Sequence, residues 1–252
     1  MDAKEHHACL NCGTELSSSY CPNCGQKASI HRYSIKHLIA HDFVHGVFHF
    51  DKGFLYTLKE LFTRTGHSVR EFIQGKRSKN FNIFTFLVLI LTASHFLGAY
   101  NSFELSELYD NENSKSFMTT YQNFSSENPR LVAFMLIPIY ALCSFLIFRR
   151  SKQNFTEHIV LNAFKASGEF IIGLTFTTLA IFYQSKEVLI TALGIVSLLN
   201  FLYTVWFYRQ YFSVFGYTKG KLIFRSILCA IAPQFVGGII GGVIGIVTAA
   251  VK

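Results

Sequence analysis

The sequence predicts an all-α integral membrane protein, with about five transmembrane helices preceded by a small N-terminal zinc ribbon. Three observations carry that expectation. Apolar runs almost free of charge recur after residue 80, in a chain that is 50% hydrophobic, 15% charged and contains 27 Phe. Runs of about 20 apolar residues are what a helix needs to cross ~30 Å of hydrocarbon. Two Cys-x-x-Cys pairs open the chain. The basic residues concentrate in alternate segments between the apolar runs. The boundaries read as a ribbon over residues 1–29, a basic amphipathic linker over 30–81 and a helical membrane domain over 82–252.

The ribbon is the most specific signal. Cys9 and Cys12 form one pair and Cys21 and Cys24 the other, with Gly13 and Gly25 directly after them and Pro22 inside the second. Two intervening residues let both thiolates of a pair reach one ion, and the glycine lets the backbone turn back beneath it with φ > 0. Four thiolates close a tetrahedral Zn2+ site with no position open to water, so one structural zinc per chain is expected. A segment this short buries little core, so the metal must supply most of its folding free energy. Two disulfides or a redox Cys-x-x-Cys are the competing readings; the latter usually sits at a helix start in a βαβ setting, absent here. Cys143 and Cys229 stand far apart in apolar runs and read as small buried hydrophobes.

In the linker, His37, His41, His45 and His49 recur every four residues on a presumptive helix with Ser34 as N-cap. Four residues advance a helix by 400°, so the row drifts and cannot all face one ion. A polar edge on an interfacial helix is preferred to a second metal site or a pH-sensing stripe. Residues 53–77 then read as two short helices. The basic residues Arg64, Arg70, Lys76, Arg77 and Lys79 approach the first span, suited to anionic headgroups.

Five spans follow: 82–100, 131–148, an apolar stretch of about 170–183, 188–208, and a long run within 222–251. The first thirty residues lack an apolar signal segment, so the first span is expected to direct insertion. Counting Lys and Arg gives eleven in the N-terminal segment and four in each of the segments after spans two and four, against four on the other side. Positive charge marks the cytosol. The expectation is a cytoplasmic (inner) membrane protein with its N-terminus inside and its C-terminus outside. The ribbon then lies where thiols stay reduced. The net charge of +8 is absorbed by this asymmetry. The ribbon has few basic residues and the chain lacks interleaved aromatic and basic residues outside apolar faces, which argues against nucleic acid.

Before the third span, His158, Asn162, Lys165 and Glu169 fall at steps of four, three and four. They form one polar helical face. It is read first as an amphipathic lead-in on the cytosolic surface and second as a face turned into the bundle, the usual place for a polar site in a membrane. His95, Asn200 and Gln234 read as interhelical hydrogen-bonding groups. Gly237, Gly241 and Gly245 repeat every four residues in the last span, a spacing that lets helices pack closely, within the chain or between copies in a homo-oligomer.

The "CLNCG…YCPNCGQK" start, the "DKGFLYTLKEL" segment with Asp51, Gly53, Phe54, Thr57, Leu58 and Leu61, the Gly75-Lys76-Arg77 triplet, and "FTEHIVL" with Glu157 and His158 together resemble bacterial multi-pass membrane proteins grouped as domain of unknown function 3667. The resemblance covers roughly residues 9–165. It implies a membrane location and a zinc ribbon, and it implies no reaction. No hydrolase or transferase spacing stands out, so a non-enzymatic role is expected: a membrane-anchored scaffold, assembly or regulatory protein whose ribbon docks a cytosolic protein. The alternative is a small-solute or ion permease gated through the cytosolic segment; a membrane enzyme ranks third.

Overall fold

The computed structural model describes residues 8–30, 32–34, 53–100, 111–183 and 185–250, with side chains to 235 in the last segment. His37, His41, His45 and His49 lie outside the described residues, as does the packing of Gly237, Gly241 and Gly245. The described fold is all-α apart from the four-cysteine module. Two short helices, α1 (Gly53–Thr63) and α2 (Thr65–Ile73), precede α3 (Ile83–Gly98), α4 (Glu112–Glu127), α5 (Pro129–Ile147), α6 (Phe155–Phe182), α7 (Lys186–Phe212) and α8 (Lys219–Ala250).

Local chemistry sets the helix starts. Asn82 caps α3 by accepting from the Phe84 and Thr85 amides at 3.0 and 3.1 Å. Asn154 and Glu157 form a capping box on α6, each side chain accepting the other's backbone N–H at 2.8 Å. Pro129 begins α5, where its missing N–H costs no helical bond.

α6 is the central helix, packed against α3, α5 and α7, while α7 also carries α2 and α8. The helices α3, α5, α6, α7 and α8 alternate in direction. The start of α8 meets the end of α5 where the Arg225 guanidinium donates to the Ile147 carbonyl. The end of α7 meets α2 where Arg70 donates to the Gln210 and Tyr211 carbonyls at 2.8 and 2.9 Å. The start of α3, end of α5, start of α6, end of α7 and start of α8 thus share one end of the bundle, here called the head. An aromatic core fills it, with Phe148 stacked on Phe212 at 3.7 Å and Phe72 edge-on to Phe164 at 5.0 Å.

The helices α1 and α2 do not lie free. Thr65, Gly66, Val69, Phe72 and Ile73 are buried. A Cβ on Gly66 would run into the Phe207 carbonyl oxygen and the Tyr211 amide, so α2 approaches the α7 backbone as only glycine permits. Leu55, Lys59 and Phe62 remain exposed on α1.

Of the expected spans, α6 and α7 are long and apolar enough to cross a membrane, while α3 and Phe134–Ile147 are apolar but shorter. The third was expected to start near residue 170 behind a surface lead-in. Instead α6 is continuous over 28 residues, about 42 Å at 1.5 Å per residue. Its first half is buried under α3, α5 and α7. Asn200 also departs from expectation: its side-chain oxygen is buried with no hydrogen-bond partner among the described residues, while His95 and Gln234 are exposed.

Candidate functional site

The four cysteines converge. Their sulfurs all lie within 4.8 Å of one another, with Cys9 to Cys24 at 3.6 Å and Cys12 to Cys21 at 3.4 Å. All four are free thiols. Four Zn–S bonds of about 2.3 Å in a tetrahedron place sulfurs about 3.8 Å apart, so the donor set fits one zinc ion. The two halves share one construction. Cys9 N donates to Thr14 O and Gly13 N to Cys9 O, both at 2.8 Å; Cys21 N donates to Gln26 O at 2.8 Å and Gly25 N to Cys21 O at 2.9 Å. Gly13 and Gly25 take φ of 75° and 70°, which explains the glycine after each pair. Thr14 Oγ1, 3.2 Å from Cys12 Sγ, hydrogen-bonds the thiolate and holds Cys12 down to about 6, while burial pushes Cys9 up to about 11.

This module is locked to the head of the bundle. Gln26 donates from Nε2 to the Gly75 carbonyl at 3.0 Å and accepts the Arg77 and Ser78 amides at 2.9 and 3.1 Å. That single buried amide satisfies three backbone groups at the turn ending α2. Gly75 adopts φ 116°, and a Cβ there would strike the Leu10 side chain at 2.6 Å. Tyr33 stacks on Phe72 at 6.2 Å under the Arg77 guanidinium, 4.1 Å from its ring centre. Arg32 grips Glu157 with two bonds of 2.6 and 2.8 Å, and Asn154 Nδ2 donates to the Tyr33 carbonyl at 2.9 Å. The cap of α6 is therefore also the anchor of the segment following the ribbon.

Directly beneath lies the polar face of α6. His158, Asn162 and Lys165 are buried and Glu169 is half-buried. The surface lead-in is thus replaced by the inward orientation, because neighbouring helices supply partners for each group. Ser144 Oγ of α5 sits 2.9 Å from both His158 Nδ1 and Asn162 Nδ2. Tyr208 of α7 donates to Asn162 Oδ1 at 2.6 Å. Lys165 Nζ reaches Glu169 at 2.9 Å and stands 3.9 Å from the Tyr140 ring centre. Thr204 of α7 donates to Glu169 at 2.5 Å. Within this polar face, His158 Nε2 is buried with no hydrogen-bond partner among the described residues.

Reading residues one by one missed Gln26, Arg32, Ser144 and the α7 partners. A signal existed for the last: Thr204, Tyr208 and Tyr211 fall at steps of four and three on α7, facing α6. Gln26 had none, since its partners lie about fifty residues on.

The class defined by fold and site is a bundle of apolar helices with a four-cysteine cluster, able to hold a metal ion, docked on one end. Residues 51–94, which comprise α1, α2 and most of α3, match the model of a family described as protein of unknown function (DUF3667). No curated protein and no solved structure matches the chain.

Proposed function

We propose that the protein is a multi-pass protein of the cytoplasmic membrane, and that it serves as a non-enzymatic scaffold or regulatory anchor whose cytosolic zinc ribbon docks a partner protein. The observation that carries the membrane reading is the surface of α7. Only 17% of its apolar window is buried inside the protein. Ile195, Leu198, Leu199 and Leu202 are exposed, as are Phe182 on α6 and Phe224 and Phe235 on α8. A water-soluble fold would cover such a helix, since each large aliphatic side chain gains about 1.5–3 kcal/mol on full burial. Lipid is the covering that suits a helix of this length. The alternating directions of α3, α5, α6, α7 and α8 suit five spans. Arg149, Arg150, Lys152, Arg209, Lys219 and Lys221 flank the head with the ribbon, in line with a cytosolic head.

Docking of the ribbon onto the bundle supports a rigid platform over a tethered finger. Its outward side, including Tyr20 at 59% exposure, stays open to a partner. A photocrosslinker at Tyr20 in intact cells tests this: a specific cytosolic protein, lost when Cys21→Ser removes the metal site, is the expected product. The buried polar chain of α6 favours a second reading, a small-solute or ion permease. Flux through vesicles that Glu169→Ala abolishes at unchanged abundance, with no crosslinked partner, would favour it.

A further inference from the structure

We propose that the cleft between the ribbon and the α1–α2 pair is a binding site for a phosphate group, carried either by a small solute or by a lipid headgroup. The cleft encloses about 470 Å³. One wall is the outer face of the metal module, with Cys12, Cys24 and Asn23; the other is built from Arg64 and Ser68 of the helices with Lys76, Lys79 and Asn80 of the segment that leads into α3. Three cations, Arg64, Lys76 and Lys79, line the cleft with one carboxylate, Glu71, and Arg64 also pairs with Glu60 behind it at 3.3 Å. Glu71 sits between Arg64 at 3.0 Å and Lys76 at 3.8 Å, which spaces two of the cations along the wall. The neutral lining is rich in donors: the Ser68 hydroxyl and the Asn23 and Asn80 amides. Converging cations and neutral N–H and O–H groups around a cavity of this size suit an oxyanion with several acceptor oxygens.

The rival task for the cations is to offset the charge of a zinc tetrathiolate. Against it, the Cys12 and Cys24 sulfurs are hydrogen-bonded within the ribbon, to Thr14 and Asn11, while Arg64 is held by Glu60 and Glu71 and Lys76 by Glu71. Lys79 and Asn80 precede the first residue of α3 by three or four positions, so a headgroup phosphate lies within reach. That arm rests on the membrane reading, whereas the solute arm does not.

The test uses the zinc-loaded full chain. In maltoside micelles, binding of inorganic phosphate and glycerol phosphate is measured by calorimetry. In nanodiscs with and without phosphatidylglycerol, retained lipid is measured by native mass spectrometry. Zinc content is recorded throughout. Binding of the free anions, weakened at least tenfold by Lys76→Gln/Lys79→Gln, supports a solute site. Retention of phosphatidylglycerol by the wild type and its loss from the variant, without free-anion binding, supports a headgroup site. The single variant Lys79→Gln, at an exposed side chain, guards against zinc loss in the double variant and is expected to weaken binding severalfold with zinc retained. Absence of both kinds of binding in the wild type, or undiminished binding in zinc-loaded Lys79→Gln, overturns the proposal. Loss of lipid retention alone, with free-anion binding intact, counts against the headgroup source and leaves the site standing.

Discussion

Removing the Lys165 ammonium isolates the Glu169 carboxylate inside the bundle. Lys165 is 2% exposed and Glu169 24%, and they meet at 2.9 Å. Breaking a buried pair from one side costs about 3–5 kcal/mol, because the remaining charge loses its counterion and cannot regain water. Two features reduce that figure here: Glu169 keeps part of its exposure, and Thr204 still donates to it. Lys165→Met should therefore cost about 3 kcal/mol. For a chain of this size that corresponds to roughly 6–12 °C in apparent melting temperature. Glu169→Gln should cost less, since an amide can still accept from Thr204 and the ammonium keeps the Tyr140 face. The double variant Lys165→Met/Glu169→Gln should recover much of the loss, because both charges are then gone. A thermal melt of the four proteins in one detergent forms the cycle, and a coupling above about 1 kcal/mol is expected for residues in contact. Additive losses, or a Lys165→Met protein melting with the wild type, would refute the reasoning that this pair is buried and coupled.

Three further outcomes follow from the geometry. The purified chain should carry one zinc, and Cys21→Ser should release it and loosen residues 8–27 while the helical body keeps its helicity; metal analysis with circular dichroism checks both. Gly66→Ala puts a methyl group against the α7 backbone and should cost at least the 1–3 kcal/mol typical of overpacking, read as a lower melting temperature, and Gly66→Ser should be worse. His67 is held below its ordinary range by burial, then by the charges of Arg70 and Arg64. The unfolded chain therefore takes up this proton first as pH falls below about 6.5. The His67 contribution is full at neutral pH and is lost on acidification towards the lower folded value, and His67→Gln should flatten that part of the pH–stability profile.

How much could be read from the residues depended on whether their partners were near in the chain. Both Cys-x-x-Cys knuckles are local: the pair spacing and the following glycine specify the turn, so the convergence of Cys9, Cys12, Cys21 and Cys24 was legible. So were the two short helices α1 and α2, from their apolar periodicity. The orientation of the His158–Glu169 face was not, because a polar stripe has the same period whether it meets water or the polar groups of neighbouring helices. Only the matching stripe of Thr204 and Tyr208, together with Ser144, decides between them, and that pairing is long-range. The seating of the ribbon through Gln26 was invisible for the same reason. Gly66 carried no motif and Gly75 stood out only within the Gly75-Lys76-Arg77 triplet, although each is required by a backbone approach or a left-handed turn. The break placed before residue 170 failed because the apolar count excluded polar residues that the bundle buries.

The central claim is a zinc-bearing head on the cytosolic side of a five-span bundle. Paired topology reporters, fused after Lys152 and at the C-terminus, test it most directly in living cells, with a third in the segment around Asp110. The account predicts a cytosolic readout after Lys152 and an external readout both at the C-terminus and around Asp110. A cytosolic readout at all three positions would contradict it.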